Sequence, residues 1–335
     1  MKSAIYAPAG LRLNADERAF FREAEPAGYI LFRRNCGSRD QVRALTDDLR
    51  ALAGRDDLPI LIDQEGGRVA RLRPPEWPEF PAAGRFADLY RVAPMSAIQA
   101  ARLNAAAIAC VLREAGINVD CMPLLDVRQA GAHDIIGDRA LGAEPMQVAA
   151  LGRAVLEGLA EGGVVGVVKH MPGHGRAASD SHAELPVVEA PEEALELDIA
   201  PFAALRTAAM GMTSHIVYTA WDRYRCASLS PVVIETIIRG RIGFEGLLMS
   251  DDIGMHALSG GFGARASGVI GAGCDLALHC SGDLDEMAAI AGALGEIAPA
   301  ARQRLDRAMA SVAGARETPP YAELAARRDA LLAYA

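Results

Sequence analysis

The sequence has no CxxC pair, no excess of basic residues, no long uninterrupted apolar run and no Pro/Ser-rich linker. Each absence removes a class of protein. The six cysteines (Cys36, Cys110, Cys121, Cys226, Cys274, Cys280) are scattered, mostly within apolar segments, where a free thiol behaves as a small hydrophobe. Reduced structural thiols are therefore expected, rather than disulfides or a metal cluster. With 34 Lys and Arg against 43 Asp and Glu, the net charge is −9 and the pI about 5.4. That balance gives no electrostatic footprint for a nucleic acid. No apolar stretch is expected to span a membrane. Met1–Tyr6 turns polar without a long apolar h-region, so no signal peptide is expected and the cytoplasm is the expected compartment. Oligomeric state leaves no mark in the sequence.

What is present is a large supply of core: 51% of the 335 residues are hydrophobic and 23% charged. Eight short apolar runs recur along the chain, near residues 4–8, 27–32, 58–63, 117–122, 164–169, 210–216, 246–251 and 274–279. Such runs, bounded by Gly, Pro or a charge, predict buried strands. Between them lie Ala-, Leu-, Glu- and Arg-rich segments with helical spacing. Asn14 is placed to cap a helix from Ala15, with Asp16 and Glu17 in its first turn. Helices are also predicted over 96–115, 145–162, 191–209 and 230–242, most with Pro or Ser near the start. Strand–helix alternation predicts a parallel sheet. Eight units suit an α/β fold of the (β/α)8 TIM-barrel type over residues 1–335, with about 299–335 as extra helices packing outside. Two doubly wound halves are the alternative, but nothing resembling a linker divides the chain.

In such a barrel, chemistry belongs at the C-terminal ends of the strands. Six of the eight runs end in polar groups: Asp63, Asp120, Lys169–His170, Ser214–His215, Asp251–Asp252 and His279. A solvated strand end explains any one of these; six together predict a shared site. After Asp63 comes Gln64-Glu65-Gly66-Gly67-Arg68-Val69-Ala70-Arg71, whose Gly pair permits a tight turn. Alternation about Val69 predicts that one of Arg68 and Arg71 points in and the other away. The same parity predicts that at most one of Asp251 and Asp252 faces the site, the other serving as a cap or ion-pair partner.

The densest chemistry is Lys169-His170-Met171-Pro172-Gly173-His174-Gly175, followed by Asp180-Ser181-His182. A carboxylate near an imidazole fixes its tautomer, so Asp180 and His182 are candidates for proton transfer near neutral pH. The spacing of His170 and His174 also suits zinc, but Pro172-Gly173 between them opposes the helix that would align both rings. No metal and no cofactor is therefore expected. His174 reads as a structural residue of the turn.

Together these residues resemble family 3 glycoside hydrolases, whose signature reads KHFPGHG…DSH…LP. They are most similar to the β-N-acetylglucosaminidases acting on peptidoglycan fragments. Asp63–Arg71 matches DQEGGRVxR, Ile136-Gly137-Asp138-Arg139 resembles IGxR, Met212–His215 resembles MTxH, and Ser250-Asp251-Asp252 with Met255 resembles SDDxxM. The resemblance implies Asp251 as nucleophile, His182 as general acid and base, and Asp180 as its partner. It implies Asp63, Arg71, Arg139, Lys169 and His170 as sugar-binding residues. It also implies a small-molecule partner, an N-acetylglucosaminyl muropeptide, with neither nucleic acid nor membrane involved. Met171 replaces the family's usual Phe, Asp138 stands where Glu is frequent, and the second α/β domain of many members is missing. Open alternatives are a phosphorylase using the same site, a metal-dependent hydrolase, and a non-catalytic muropeptide-binding sensor.

Overall fold

The structure, a computed structural model, describes residues 1–129, 131, 134–177, 179, 181, 184–314 and 318–334. Eight parallel strands close a barrel in chain order: β1 (Lys2–Tyr6), β2 (Pro26–Leu31), β3 (Ile60–Ile62), β4 (Val119–Asp120), β5 (Val165–Met171), β6 (Met210–Thr213), β7 (Leu247–Asp252) and β8 (Leu276–His279). β8 returns to β1, with Leu278 opposite Ile5. All eight predicted runs become these strands.

Side-chain parity divides each strand. Leu61, Val165, Val167, Met210, Met212, Leu247, Met249, Leu276 and Leu278 form the inward-facing core. Ile60, Ile62, Val164, Val168, Leu248 and Ala277 face the surrounding helices. This two-residue alternation is the pleat of a β-strand, and it decides which polar strand ends can reach the barrel axis.

The helices follow their capping signals. In α1 (Ala15–Ala24), the Asn14 side chain accepts the Glu17 amide while Glu17 accepts the Asn14 amide, a complete capping box. α2 (Arg39–Ala53) is capped by Ser38. α3 (Ala83–Val92) is an element the pattern does not announce: its N-cap, Ala82, offers no side-chain bond. Pro opens both α4 (Pro94–Glu114) and α5 (Pro145–Glu161). α6 (Glu192–Ala204), a π-helical segment over Val233–Arg241, α7 (Phe262–Ala272) and α8 (Leu284–Ala293) complete the ring.

Two predictions need correction. α4 is long and apolar enough to cross a membrane by length and composition, contrary to expectation. Two-thirds of its most apolar window is buried inside the molecule, where its alanines pack beneath neighbouring helices, so it is a core helix. The C-terminal segment also does not simply pack outside. Leu305, Ala308 and Met309 of α9 (Pro299–Ala310) join the inward-facing core and close the N-terminal mouth of the barrel. α10 (Tyr321–Leu332) lies on α4, where buried Arg328 donates to Asn104 Oδ1 at 3.0 Å.

Candidate active site

The C-terminal mouth holds a cavity of about 260 Å³, close to the lower end of ordinary small-ligand pockets, about 300 Å³. Its polar lining includes Asp63, Arg71, Arg139, Lys169, His170 and Asp251. Parity explains three of these. Asp63 continues the inward phase of Leu61, Lys169 that of Val165 and Val167, and Asp251 that of Leu247 and Met249. The same rule excludes others: His215 turns outward to Ser228 Oγ at 2.6 Å, and His279 to Ser281 Oγ at 2.8 Å. Asp120 is fully buried beside the amide of Gln64. Asp120, Ser214, His215 and His279 thus do not line the cavity, correcting the expectation that all six strand ends share it.

Parity fails at two places, and there the ladder slips. The β5–β6 register shifts between Val168 and Met171, and both Lys169 and His170 reach the cavity. The β7–β8 register shifts between Met249 and Asp252, and both Asp251 and Asp252 line it. A bulge re-aims side chains in this way, so the expectation of one facing aspartate is corrected. The two still differ: Asp252 Oδ1 accepts the amides of Gly254 (2.9 Å) and Cys280 (3.2 Å), and its own amide donates to Asp251 Oδ1 at 2.8 Å. Asp252 is thus tied to backbone and helps aim Asp251.

The centre of the grip is an alternating chain of charge. Lys169 Nζ lies 2.9 Å from Asp63 and 2.7 Å from Glu65. Arg71 pairs with Asp63 at 2.9 Å, and Arg139 holds Glu65 through two contacts of 2.8 Å. Three cations thus flank two carboxylates. Burial alone would raise the pKa of Asp63 and of Glu65, but Lys169 with the two arginines outweighs it and holds both low. Burial pulls Lys169 and Arg139 down, and the carboxylates more than reverse this, keeping both cationic. Arg68 points away, to Asp138 (2.8 Å) and the carbonyls of Asp134, Ile135 and Ile136, so the in-and-out reading of the two arginines holds.

Glu65 and Asp126 are the members that motif reading missed as site residues. Glu65 was findable: it lies two residues after Asp63, on the short Gln64–Gly66 strand paired with Val69–Ala70, and alternation puts both on one side. Gly66 makes that turn with φ +92°, where a Cβ would sit 2.4 Å from the Pro81 carbonyl. Asp126 follows an extension of β4 that bridges Lys169 through Leu124. It is fully buried and accepts the His170 amide (3.1 Å), the His174 amide (2.6 Å) and His170 Nδ1 (2.8 Å). Burial would raise its pKa, but the His170 and His174 side overrides this and brings it to about 2.

His174, read from the sequence as a residue of the turn, also lines the cavity. Its Nε2 stands 3.5 Å from Ser181 Oγ. Burial, reinforced by His170, lowers its pKa to about 4, so it is neutral near pH 7. Gly175 leaves room for the Val127 carbonyl, which a Cβ would meet at 1.9 Å. Asp180 and His182 lie outside the described residues; Ser181, between them, lines the cavity.

The arrangement is an acid, a fixed set of donors and acceptors, and a loop at the rim. Residues 4–314 match the glycosyl hydrolase family 3 N-terminal domain. The chain belongs to glycosyl hydrolase family 3. Family membership fits the barrel and the charged mouth alike. A β-hexosaminidase of Methylococcus capsulatus is 39% identical over 277 residues, covering 81% of this chain and 80% of that protein. Native NagZ from Neisseria gonorrhoeae superposes with a TM-score of 0.88 at 30% identity, covering 99% of this chain and 98% of that one. The same protein in complex with N-trifluoroacetyl-D-glucosamine matches with the same TM-score, identity and coverage.

Proposed function

We propose that this family 3 glycoside hydrolase is a retaining exo-acting β-N-acetylglucosaminidase that releases terminal N-acetylglucosamine from peptidoglycan fragments, including 1,6-anhydro-muramyl species. The supporting observation is Asp251, which accepts the Asp252 amide and lines the same cavity of about 260 Å³ as Asp63, Arg71, Arg139 and Lys169. The enzyme is a β-N-acetylhexosaminidase, as its named relatives are. Asp63 accepts sugar hydroxyls, Arg71, Arg139 and Lys169 donate to the remaining oxygens, and His170 meets a further hydroxyl. The N-trifluoroacetyl-D-glucosamine complex of the gonococcal relative supports the choice of sugar.

In the proposed reaction a carboxylate oxygen of Asp251 attacks the anomeric carbon as the glycosidic bond breaks. The leaving oxygen takes its proton from His182, which Asp180 orients. Water then gives a proton to His182, attacks the same carbon and frees the sugar from Asp251. His174 does not compete for this work, because it is neutral near pH 7 and already turned to Ser181. We place its action in the cytoplasm.

Trapping with a 2-fluoro or 5-fluoro N-acetylglucosaminyl donor, followed by mass spectrometry of peptides, tests the reading. The label belongs on Asp251; a label elsewhere, or full activity in Asp251→Asn, rejects it. Adding phosphate and assaying the sugar 1-phosphate separates hydrolysis from phosphorolysis. Turnover that survives a chelator removes the metal-dependent alternative, and turnover of any kind removes the sensor.

A further inference from the structure

We propose that Asp126 is a positioning residue for the reaction, setting the His170 ring with one carboxylate oxygen and the backbone turn over 170–174 with the other. This rests on the reading above, in which His170 touches the sugar. The two oxygens divide the work. Oδ2 meets His170 Nδ1 at 2.8 Å, and Oδ1 collects the amides of His170 and His174 at 3.1 and 2.6 Å. All of this is sealed from solvent, since Asp126 is completely buried and His170 nearly so.

An ionised carboxylate only accepts, so Nδ1 of His170 must carry the hydrogen. Asp126 is ionised across the working range of pH. The other ring nitrogen, Nε2, makes no hydrogen bond to the described residues, and the ring lines the cavity. Nε2 is therefore the atom offered to substrate, in an orientation the protein fixes beforehand. A carboxylate behind a metal-binding imidazole plays this part, and removing it there costs about 10–100-fold in metal affinity or activity; the same orienting role is expected here. The Oδ1 contacts are separate in purpose. They fasten residues 170–174, with help from Tyr218, whose hydroxyl donates to the Gly173 carbonyl at 2.9 Å. From that anchored turn the chain departs toward Ser181.

The division suggests a variant that separates the roles. In Asp126→Asn the amide oxygen still accepts both backbone N–H groups, while its NH2 faces His170 Nδ1 and forces the hydrogen onto Nε2. Asp126→Ala removes both. Kinetics on an aryl β-N-acetylglucosaminide, calorimetric binding of N-acetylglucosamine and thermal midpoints are measured for Asp126→Asn, Asp126→Ala, His170→Ala and the Asn/Ala double variant. We expect Asp126→Asn to lose about 10–100-fold in kcat/KM while melting well above Asp126→Ala. In the His170→Ala background the Asn substitution should have less than about a threefold further effect, because coupled residues are not additive. Equal losses in both backgrounds, or an Asp126→Asn enzyme with full activity, overturn the proposal.

A second measurement needs no substitution at Asp126. Long-range 1H–15N correlation spectra of the native enzyme, with His170 assigned by comparison with His170→Ala, should show a protonated Nδ1. A bare Nδ1 overturns the tautomer assignment. This spectrum does not depend on what Asp251 does, so failure of the nucleophile assignment and failure of this proposal are distinguishable.

Discussion

The two mouths of this barrel are built from the same eight strands and share almost nothing else. At the N-terminal mouth, α9 inserts Leu305, Ala308 and Met309 among the inward-facing residues, and Arg304 fixes Asp275 at 2.8 Å. Asp275 in turn accepts the Leu248 amide and Arg239, both at 2.9 Å. At the C-terminal mouth the strand ends carry charge around an open cavity. One end buries apolar side chains; the other gathers buried charges that are costly unless paired. The contrast says where a substitution will be read as lost stability and where as lost rate.

The largest test of that contrast is Asp251→Asn. With the nucleophile gone, kcat/KM should fall on the order of 10⁴-fold or more, with the thermal midpoint nearly unchanged. A midpoint that drops sharply would place Asp251 among the structural residues instead. Lys169→Met strikes both ledgers at once, leaving Asp63 and Glu65 facing each other without their shared cation. Breaking such a buried pair costs about 3–5 kcal/mol, and we expect weaker N-acetylglucosamine binding as well. Denaturant titration and calorimetry would measure the two losses, and an unaltered unfolding midpoint would contradict the electrostatic account.

Leu305→Ala works at the opposite mouth. Truncating a buried leucine costs about 2–5 kcal/mol, and here KM should not move. A change in KM without lost stability would mean that the plug communicates with the cavity. The last test, Asp120→Asn, should have no effect near pH 4 and one that grows as pH rises. Burial, only partly offset by the Gln64 amide and Lys169, raises Asp120 to about 8. Between about pH 4 and pH 8 the folded protein therefore holds a proton that the unfolded chain releases. Stability falls as pH rises through that window, on the order of 1 kcal/mol per pH unit. Asparagine keeps the Gln64 bond and removes the titration, so the variant should match the parent near pH 4 and exceed it near pH 8. Parallel stability curves for the two proteins would refute this.

Much of this was legible in the amino-acid order. The eight apolar runs, the Asn14 cap and the prolines opening helices lie on the chain as local signals, and local signals survive folding. Asp63, Lys169 and Asp251 were equally readable, because each extends the inward parity of a hydrophobic strand. His215 and His279 mislead for the same reason, being one step out of phase. What stayed hidden depends on register. The shifts within β5 and β7 bring His170 and Asp252 into the cavity, and a slip between neighbouring strands is a property of the pair rather than of either sequence. Asp126 was missed because its partners, two amides and a ring nitrogen, come from residues 44 and 48 positions away. α9 was placed outside because amphipathic spacing says that a face is buried and not against what.

The pairing of β1 with β8 carries a kinetic consequence. Ile5 finds Leu278 only after every intervening strand has been made, so the ring is among the least local contacts available to this chain. Such topologies fold slowly. Until closure, β1 and whichever strand was laid down last present unpaired edges, the surfaces through which chains associate wrongly. A ribosome stalled ahead of Leu276 would hold an open sheet of strands, and temperature-sensitive variants that accumulate as aggregates should cluster at the β1–β8 seam and the α9 plug rather than around the sugar cavity.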